Sequence, residues 1–342
     1  MRTKRPGDTA EGVESTPEAR IESFLASRVG VSLEVSHYER LIGDASTRVY
    51  FRVFRPRGQT ALLAALPSAF EPEELDFLRM AELFRELGVR VPRVHTASGP
   101  EGILVLEDFG DLLLQDAVRD AGLEEKRALY RRSVDLLARI QAEAAKRLER
   151  DPSLVPVVFT EKKFTQELDF FRRHFLEGIR SASLDAAERE ALGEQFARLS
   201  RELVGHPFVL CHRDFHARNL MIVEGEIGVI DFQDARLGPR TYDLVSLLGD
   251  SYVEHDNDLI EEMKLRFSRT TGVELGREYD VAALQRNLKA LGTFGYQIGQ
   301  RGNDVYRPYV RYTLSLVRRN LGRNRGFDDL RRILARHLEE LA

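Results

Sequence analysis

The 342-residue sequence predicts an α+β protein of two lobes: a small N-terminal antiparallel sheet with one main helix, then a larger, mostly helical lobe. Three observations carry this. Short β-like runs crowd the chain before Asp108, long helical periods dominate beyond it, and a chain of this length with 43% hydrophobic residues suits two lobes better than one or three. The expected divisions are a tail at 1–17, an N-terminal lobe at 18–108 and a C-terminal lobe at 109–342.

Residues 1–17 mix Pro, Gly, Ser, Thr and charge with almost no apolar content, which predicts a disordered tail. A short amphipathic helix is expected from Ile21 to Val29. "SLEVSHYERL", "RVYFRVFR" and "TALLAAL" then read as an antiparallel meander, separated by "IGDAST" and "PRGQ". In "EPEELDFLRMAELFRELG", Leu75, Leu78, Met80, Leu83 and Leu87 fall near helical spacing, with acids in the first turn and Gly88 as a stop. Strands follow around "RVHTA" and "GILVLEDF". Helices are expected near 111–120, 123–149, 162–179 and 185–204, then a strand pair within 209–231, then helices from 241 to the end.

No apolar run approaches the ~20 residues of a membrane span, and the N-terminus lacks the apolar core of a secretory signal, so a cytoplasmic protein without a membrane partner is expected. The single cysteine, Cys211, excludes an intrachain disulfide and reads as a buried strand residue. Net charge is -4, unevenly spread: from Arg286 to Arg336 twelve Lys or Arg meet three acids, Asp304, Asp328 and Asp329. That favours an anionic small-molecule partner near the C-terminal helices, although most of these arginines fit solvated helix faces. Nucleic acid is not expected, because the total charge is acidic and no aromatic-interleaved basic stripe is present.

The chemistry-bearing stretch is "LCHRDFHARNLMIVEGEIGVIDFQDA", residues 210–235. It places four residues between Asp214 and Asn219, with Asp231 beyond an apolar segment expected to form a hairpin turning near Glu224 to Glu226. Phosphoryl transfer needs a group to orient the attacking hydroxyl and hard oxygen ligands for magnesium; Asp214 suits the first, Asn219 and Asp231 the second.

"HRDFHARN" followed by "IDF" resembles the catalytic loop and metal-binding segment of the protein-kinase-like superfamily. Gln233 after "DF" and His216 within the loop point to its aminoglycoside phosphotransferase and choline kinase branch. "GDASTRVYFRV", "VLEDFGD", "VIDFQDARLGPRTYDLVSLL" and "RNLKALGTF" extend the resemblance, in order, to the bacterial anomeric amino-sugar kinases of cell-wall recycling, over roughly residues 38–320. The resemblance implies a bilobal kinase-like fold and ATP and Mg2+ as cofactors. It further implies phosphorylation of N-acetylmuramate or N-acetylglucosamine at the C1 hydroxyl. Asp214 would be the catalytic base, Asn219 and Asp231 the metal ligands, and Asp243 in "TYDL" an acid that braces the loop. His212 is expected to orient the loop, and His216 and Arg218 to meet phosphate or substrate.

The pattern breaks in the N-terminal lobe. No lysine occurs between Lys4 and Lys126, so the strand lysine that holds phosphates in protein kinases is missing. Arg48 and Arg52, which share a strand face with Tyr50, are its candidate substitutes. Gly43, Ser46 and Thr47 in "IGDAST" offer donors to phosphate, and Leu106 to Phe109, with Glu107 and Phe109, form the expected adenine hinge. For the acceptor, Arg240, Arg286 and Lys289 suit an anionic group, with Gln233, Asp234 and Asn287 as hydroxyl or amide partners. Two alternatives stay open: a kinase of another small alcohol of aminoglycoside, choline or homoserine type, and a nucleotide-binding pseudokinase. The sugar, its anomer and the oligomeric state are not fixed by these motifs.

Overall fold

The computed structural model describes residues 16–27, 35–41, 48–155 and 157–342. The chain divides into two compact units, one of residues up to Leu75 plus Arg93–Asp108, the other of Asp76–Pro92 plus Phe109 onward. Of the expected tail, residues 1–15 lie outside the described residues, as do Gly43, Ser46 and Thr47.

In the first unit helix α1 spans Pro17–Ser27 and starts four residues earlier than its apolar pattern suggests. Thr16 explains this: its hydroxyl accepts the Ala19 N–H at 3.2 Å, and Pro17 needs no donor at the first helical position. Strands β1 (His37–Arg40), β2 (Val49–Phe54), β3 (Thr60–Ala65), β4 (Val94–Ser98) and β5 (Ile103–Glu107) form one antiparallel sheet in the order β1-β2-β3-β5-β4. Strand alternation sends Phe51, Val53, Ala61, Leu63, Ile103 and Val105 to one face, where Ile21 and Phe24 of α1 cover them. Removing each large side chain from water contributes about 1.5–3 kcal/mol.

The second unit begins with α2 (Asp76–Glu86), whose buried stripe is Phe77, Met80, Ala81, Leu83 and Phe84. Its Phe77 and Phe84 rings pack 5.0 and 5.8 Å from Phe232, and Phe84 meets the His212 ring at 6.1 Å. The sequence grouped this helix with the N-terminal lobe by chain position, but its aromatic face groups it with the second unit. Helices α3 (Leu114–Arg119), α4 (Leu123–Arg150), α5 (Glu161–Phe171) and α6 (Ala186–Val204) follow, with a π-helical stretch Arg172–Ile179 after α5. Strands β6 (Phe208–Cys211), β7 (Leu220–Val223), β8 (Glu226–Val229) and β9 (Arg236–Pro239) form two antiparallel pairs, β6-β9 and β7-β8. The β7-β8 turn is Glu224-Gly225, both at positive φ (51° and 83°), as a two-residue hairpin demands. Strand β9 carries no strand signature in "RLGP" and exists because β6 offers it a partner.

Helices α7 (Tyr242–Leu248), α8 (Asn257–Thr271), α9 (Arg277–Gly299), α10 (Arg307–Arg323) and α11 (Asp328–Ala335) complete the unit. Helix α9 is buried on nearly every side and is the axis of the bundle. Gly295 lets the π-helical stretch approach, since a methyl there would collide with the His174 carbonyl. Cys211 is fully buried in β6, as expected. Arg307, Arg332 and Arg336 lie exposed against nearby acids, so this part of the C-terminal basic excess belongs to solvated helix faces. Among the described residues no helix is long and apolar enough to cross a membrane.

Candidate active site

The loop between β6 and β7, residues 212–219, owes its shape to buried acids. Asp243 at the start of α7 is fully buried and accepts the backbone N–H groups of His212 at 2.6 Å and Arg213 at 2.9 Å. Arg213 takes φ +83°, a left-handed conformation that a non-glycine residue holds only when its surroundings enforce it. Asp250, just beyond α7, accepts the N–H groups of Ala217 at 2.9 Å and Tyr252 at 2.8 Å. Burial raises both carboxyls to about 6, although the backbone donors pull the other way. His212, also buried, donates Nε2–H to the Ile230 carbonyl at 2.9 Å; a carbonyl can only accept, so this fixes the tautomer. The ring therefore ties the loop to the end of β8.

Asp214 stands at the head of this loop with its side chain 27% exposed. Its Oδ1 accepts from Arg286 Nη2 and from Lys289 Nζ, each at 3.0 Å, both side chains reaching over from α9. Burial alone would push the Asp214 carboxyl up, but Lys289, Arg286 and Arg213 outweigh it and hold the group well below the usual carboxylate range. The same burial pushes the Lys289 ammonium down to about 8, against the pull of Asp214. Arg286 is further anchored by donating Nε–H to Ser246 Oγ at 3.1 Å.

Asn219 donates its side-chain N–H to the Asp214 carbonyl at 2.9 Å, which leaves its amide oxygen as an acceptor. The Ile230 N–H bonds the Asn219 carbonyl at 3.0 Å, so Asp231, the next residue, is brought beside Asn219 by the β7-β8 pairing. Asp231 is exposed and holds φ +61°. An amide oxygen and a carboxylate are the hard donors that magnesium accepts while keeping waters and phosphate oxygens for its other positions. Among the described residues no cluster of three or more His, Cys, Asp or Glu side chains forms a protein-only cage.

The other expected residues divide. Gln233 donates to Asp231 Oδ1 at 2.8 Å and Asp234 pairs with Arg213 at 3.2 Å, so both stand at this site. His216 meets the Tyr252 ring edge at 5.1 Å, and burial lowers it to about 3, so it is neutral. Arg218 lies over the Tyr252 ring at 4.7 Å. Arg240 forms a two-point pair with Glu278 at 2.8 and 3.0 Å, and Asn287 bonds the Gly249 carbonyl and Asn320 in the core. In the first unit, Arg52 grips Asp108 through two bonds of 2.7 and 3.0 Å, and Arg48 is half-buried just before β2. Glu107 accepts the Arg93 N–H at 3.2 Å. Phe109, in the second unit, packs among Met221, Val223, Leu113 and Ile230.

Two supporting acids escaped the sequence reading. Asp250 follows Asp243 in the apolar run "TYDLVSLLGDSY", where an acid needs a buried donor. Glu167 sits on the apolar stripe of α5 with Phe164, Leu168 and Phe171, and accepts from Gln285 at 3.0 Å and Arg213 at 3.4 Å. A charge on a buried helix face was the available signal in both cases.

The phosphotransferase enzyme family (APH) model matches residues 37–284. A protein of Neisseria meningitidis named N-acetylmuramate/N-acetylglucosamine kinase is 29% identical over 290 residues, covering 81% of this chain and 83% of its own length. A protein of Pseudomonas aeruginosa with the same name is 28% identical, covering 78% and 79%. Among solved structures, the gentamicin complex of APH(2")-IIa aligns with TM-score 0.59 at 17% identity over 87% of this chain and 95% of that one. Choline kinase LicA from Streptococcus pneumoniae aligns with TM-score 0.58 at 15% identity, covering 87% and 97%. These structural likenesses are likenesses of fold.

Proposed function

The chain belongs to the phosphotransferase enzyme family, and from that premise we propose that it transfers the terminal phosphoryl group of ATP to the anomeric hydroxyl of an N-acetylated amino sugar. N-acetylmuramate and N-acetylglucosamine are the acceptors, and the sugar 1-phosphate is a product of peptidoglycan recycling. One observation carries the choice of acceptor: two cations from α9, Arg286 and Lys289, converge on Asp214. A cationic aminoglycoside or choline would meet like charge there, whereas a neutral N-acetyl sugar or one bearing a carboxylate would not.

Asp214 does the orienting. With Oδ1 occupied by Arg286 and Lys289, its Oδ2 is engaged by no hydrogen bond among the described residues and is the atom left to accept from the acceptor hydroxyl. The cations keep the carboxylate ionised but make it a weak base. A weak base suffices for phosphoryl transfer, because a loose transition state leaves the proton in place until late. It suits an anomeric hydroxyl in particular, since the ring oxygen makes that hydroxyl more acidic than an ordinary alcohol. Asn219 and Asp231 would hold magnesium, which when bound neutralises phosphate charge. Asp243, Asp250 and His212 keep the loop in the one shape that presents Asp214, so little reorganisation is needed at the moment of reaction.

The test is ³¹P NMR of the purified protein with Mg-ATP and, separately, N-acetylmuramate, N-acetylglucosamine and an aminoglycoside. The expected result is a new phosphate signal coupled to the sugar H1 with one or both N-acetyl sugars. Preference for the aminoglycoside would overturn the acceptor, and tight nucleotide binding with no product from any acceptor would favour a pseudokinase.

A further inference from the structure

Lys289 has a place in the site that its pairing with Asp214 does not exhaust. Its ammonium carries three donors, of which one goes to Asp214 Oδ1 at 3.0 Å; no other partner for it occurs among the described residues. Arg286, on the same carboxylate oxygen, is pinned by Ser246, while Lys289 is a point charge on a flexible four-carbon stem. The acceptor oxygen must lie within hydrogen-bond reach of Asp214, roughly 3 Å, and the phosphorus is joined to that oxygen in the transition state. A cation on a flexible stem that bonds the same carboxylate can therefore reach toward the phosphoryl oxygens where charge gathers. Arg213 is turned away, toward Glu167 and Asp234.

We propose that Lys289 is a catalytic residue that donates to the phosphoryl group in flight, bridging it to Asp214. This rests on the kinase reading above. In the step, the acceptor oxygen forms a bond to the γ-phosphorus while the bond from that phosphorus to the β–γ bridging oxygen breaks. The bonding pair stays with the leaving ADP, and the acceptor proton passes to Asp214 and then to solvent. Lys289 makes and breaks no covalent bond; it donates to the equatorial oxygens, where charge develops in the transition state. Its burial, with Asp214, Arg286 and Arg213 around it and Glu167 nearby on α5, keeps water from screening that charge.

The decisive experiment measures binding without turnover. Calorimetry compares Mg-ADP alone with Mg-ADP, aluminium fluoride and N-acetylglucosamine, the fluoride standing in for the planar phosphoryl. For Lys289→Met, ADP affinity should stay within about twofold of wild type while the fluoride complex weakens by about 100-fold, a loss in the range of one oxyanion donor. Lys289→Arg should recover part of it, and melting curves show whether each variant is folded. A Lys289→Met protein that loses turnover yet tightens on fluoride like the wild type overturns the proposal, because the lysine would then act only through Asp214. A misfolded Lys289→Met shifts the comparison to Lys289→Gln, with the same two outcomes. Wild type that gains nothing from fluoride with the sugar overturns the functional reading, and this inference with it.

Discussion

The two acids behind the β6–β7 loop and the acid at the end of the N-terminal sheet are satisfied in opposite ways. In the second unit Asp243 and Asp250 receive backbone N–H groups and, among the described residues, no cation bonds them directly, so they fix the course of the chain at residues 212, 213, 217 and 252. In the first unit Asp108 receives the Arg52 guanidinium through two bonds, with the acid 2% and the arginine 13% exposed. The loop backbone is thus held largely from α7 and the residues after it, which leaves the Asp214 and Asp231 carboxylates out of that scaffold. The sheet spends its best-placed arginine on holding itself together. A reactive loop gains freedom of side chain by fixing its backbone from outside.

Removing Asp214 should have the largest effect. Asp214→Asn keeps the size of the side chain and loses the charge, and kcat should fall about 10²- to 10⁴-fold while nucleotide affinity by calorimetry is unchanged. A fall of less than tenfold would remove Asp214 from the orienting role and end the contrast from the second unit's side. Arg52→Met tests the other side. It removes a two-point cationic partner from a buried carboxylate, and stability by urea unfolding should drop by up to about 3–5 kcal/mol, most of it recovered by Arg52→Met with Asp108→Leu. If instead stability holds and KM for ATP rises, the guanidinium serves phosphate and the two regions are alike.

The contrast also explains what could be read in advance. The β1-β2-β3 meander, the strands at 94–98 and 103–107, and helices α3 to α6 were legible, because apolar period and turn residues are local properties. Strand β9 was not, since "RLGP" is a strand only by virtue of β6. The loop spacing picked out Asp214, Asn219 and Asp231 as a set, and the structure brings Asn219 beside both of the others. Their supports, Asp250 and Glu167, and the α9 cations reach the loop from 33 to 75 residues away in sequence. Arg240 and Asn287, which the residue types also nominated, are held in the structure by Glu278 and by core amides.

The finest test of the contrast is the pH dependence of stability at Asp243. In Asp243→Asn one backbone N–H would face an amide NH2 in place of an oxygen, costing about 1–3 kcal/mol at the pH where the wild type is most favoured. The sign with pH follows from burial. The folded carboxyl is raised to about 6 against a usual 3.8, so its contribution is fully present below about pH 4 and is lost as pH rises through 6. The wild type's advantage over the variant should therefore shrink between pH 4 and 6.5, by roughly 3 kcal/mol at most for a two-unit shift. Asp250 titrates in the same window but is present in both proteins, so it cancels in the difference. Urea unfolding of the pair at half-unit steps reads this directly. An advantage that grows with pH would mean that the His212 and Arg213 N–H groups stabilise the charge more than burial opposes it. The backbone donors would then be doing at Asp243 what a guanidinium does at Asp108.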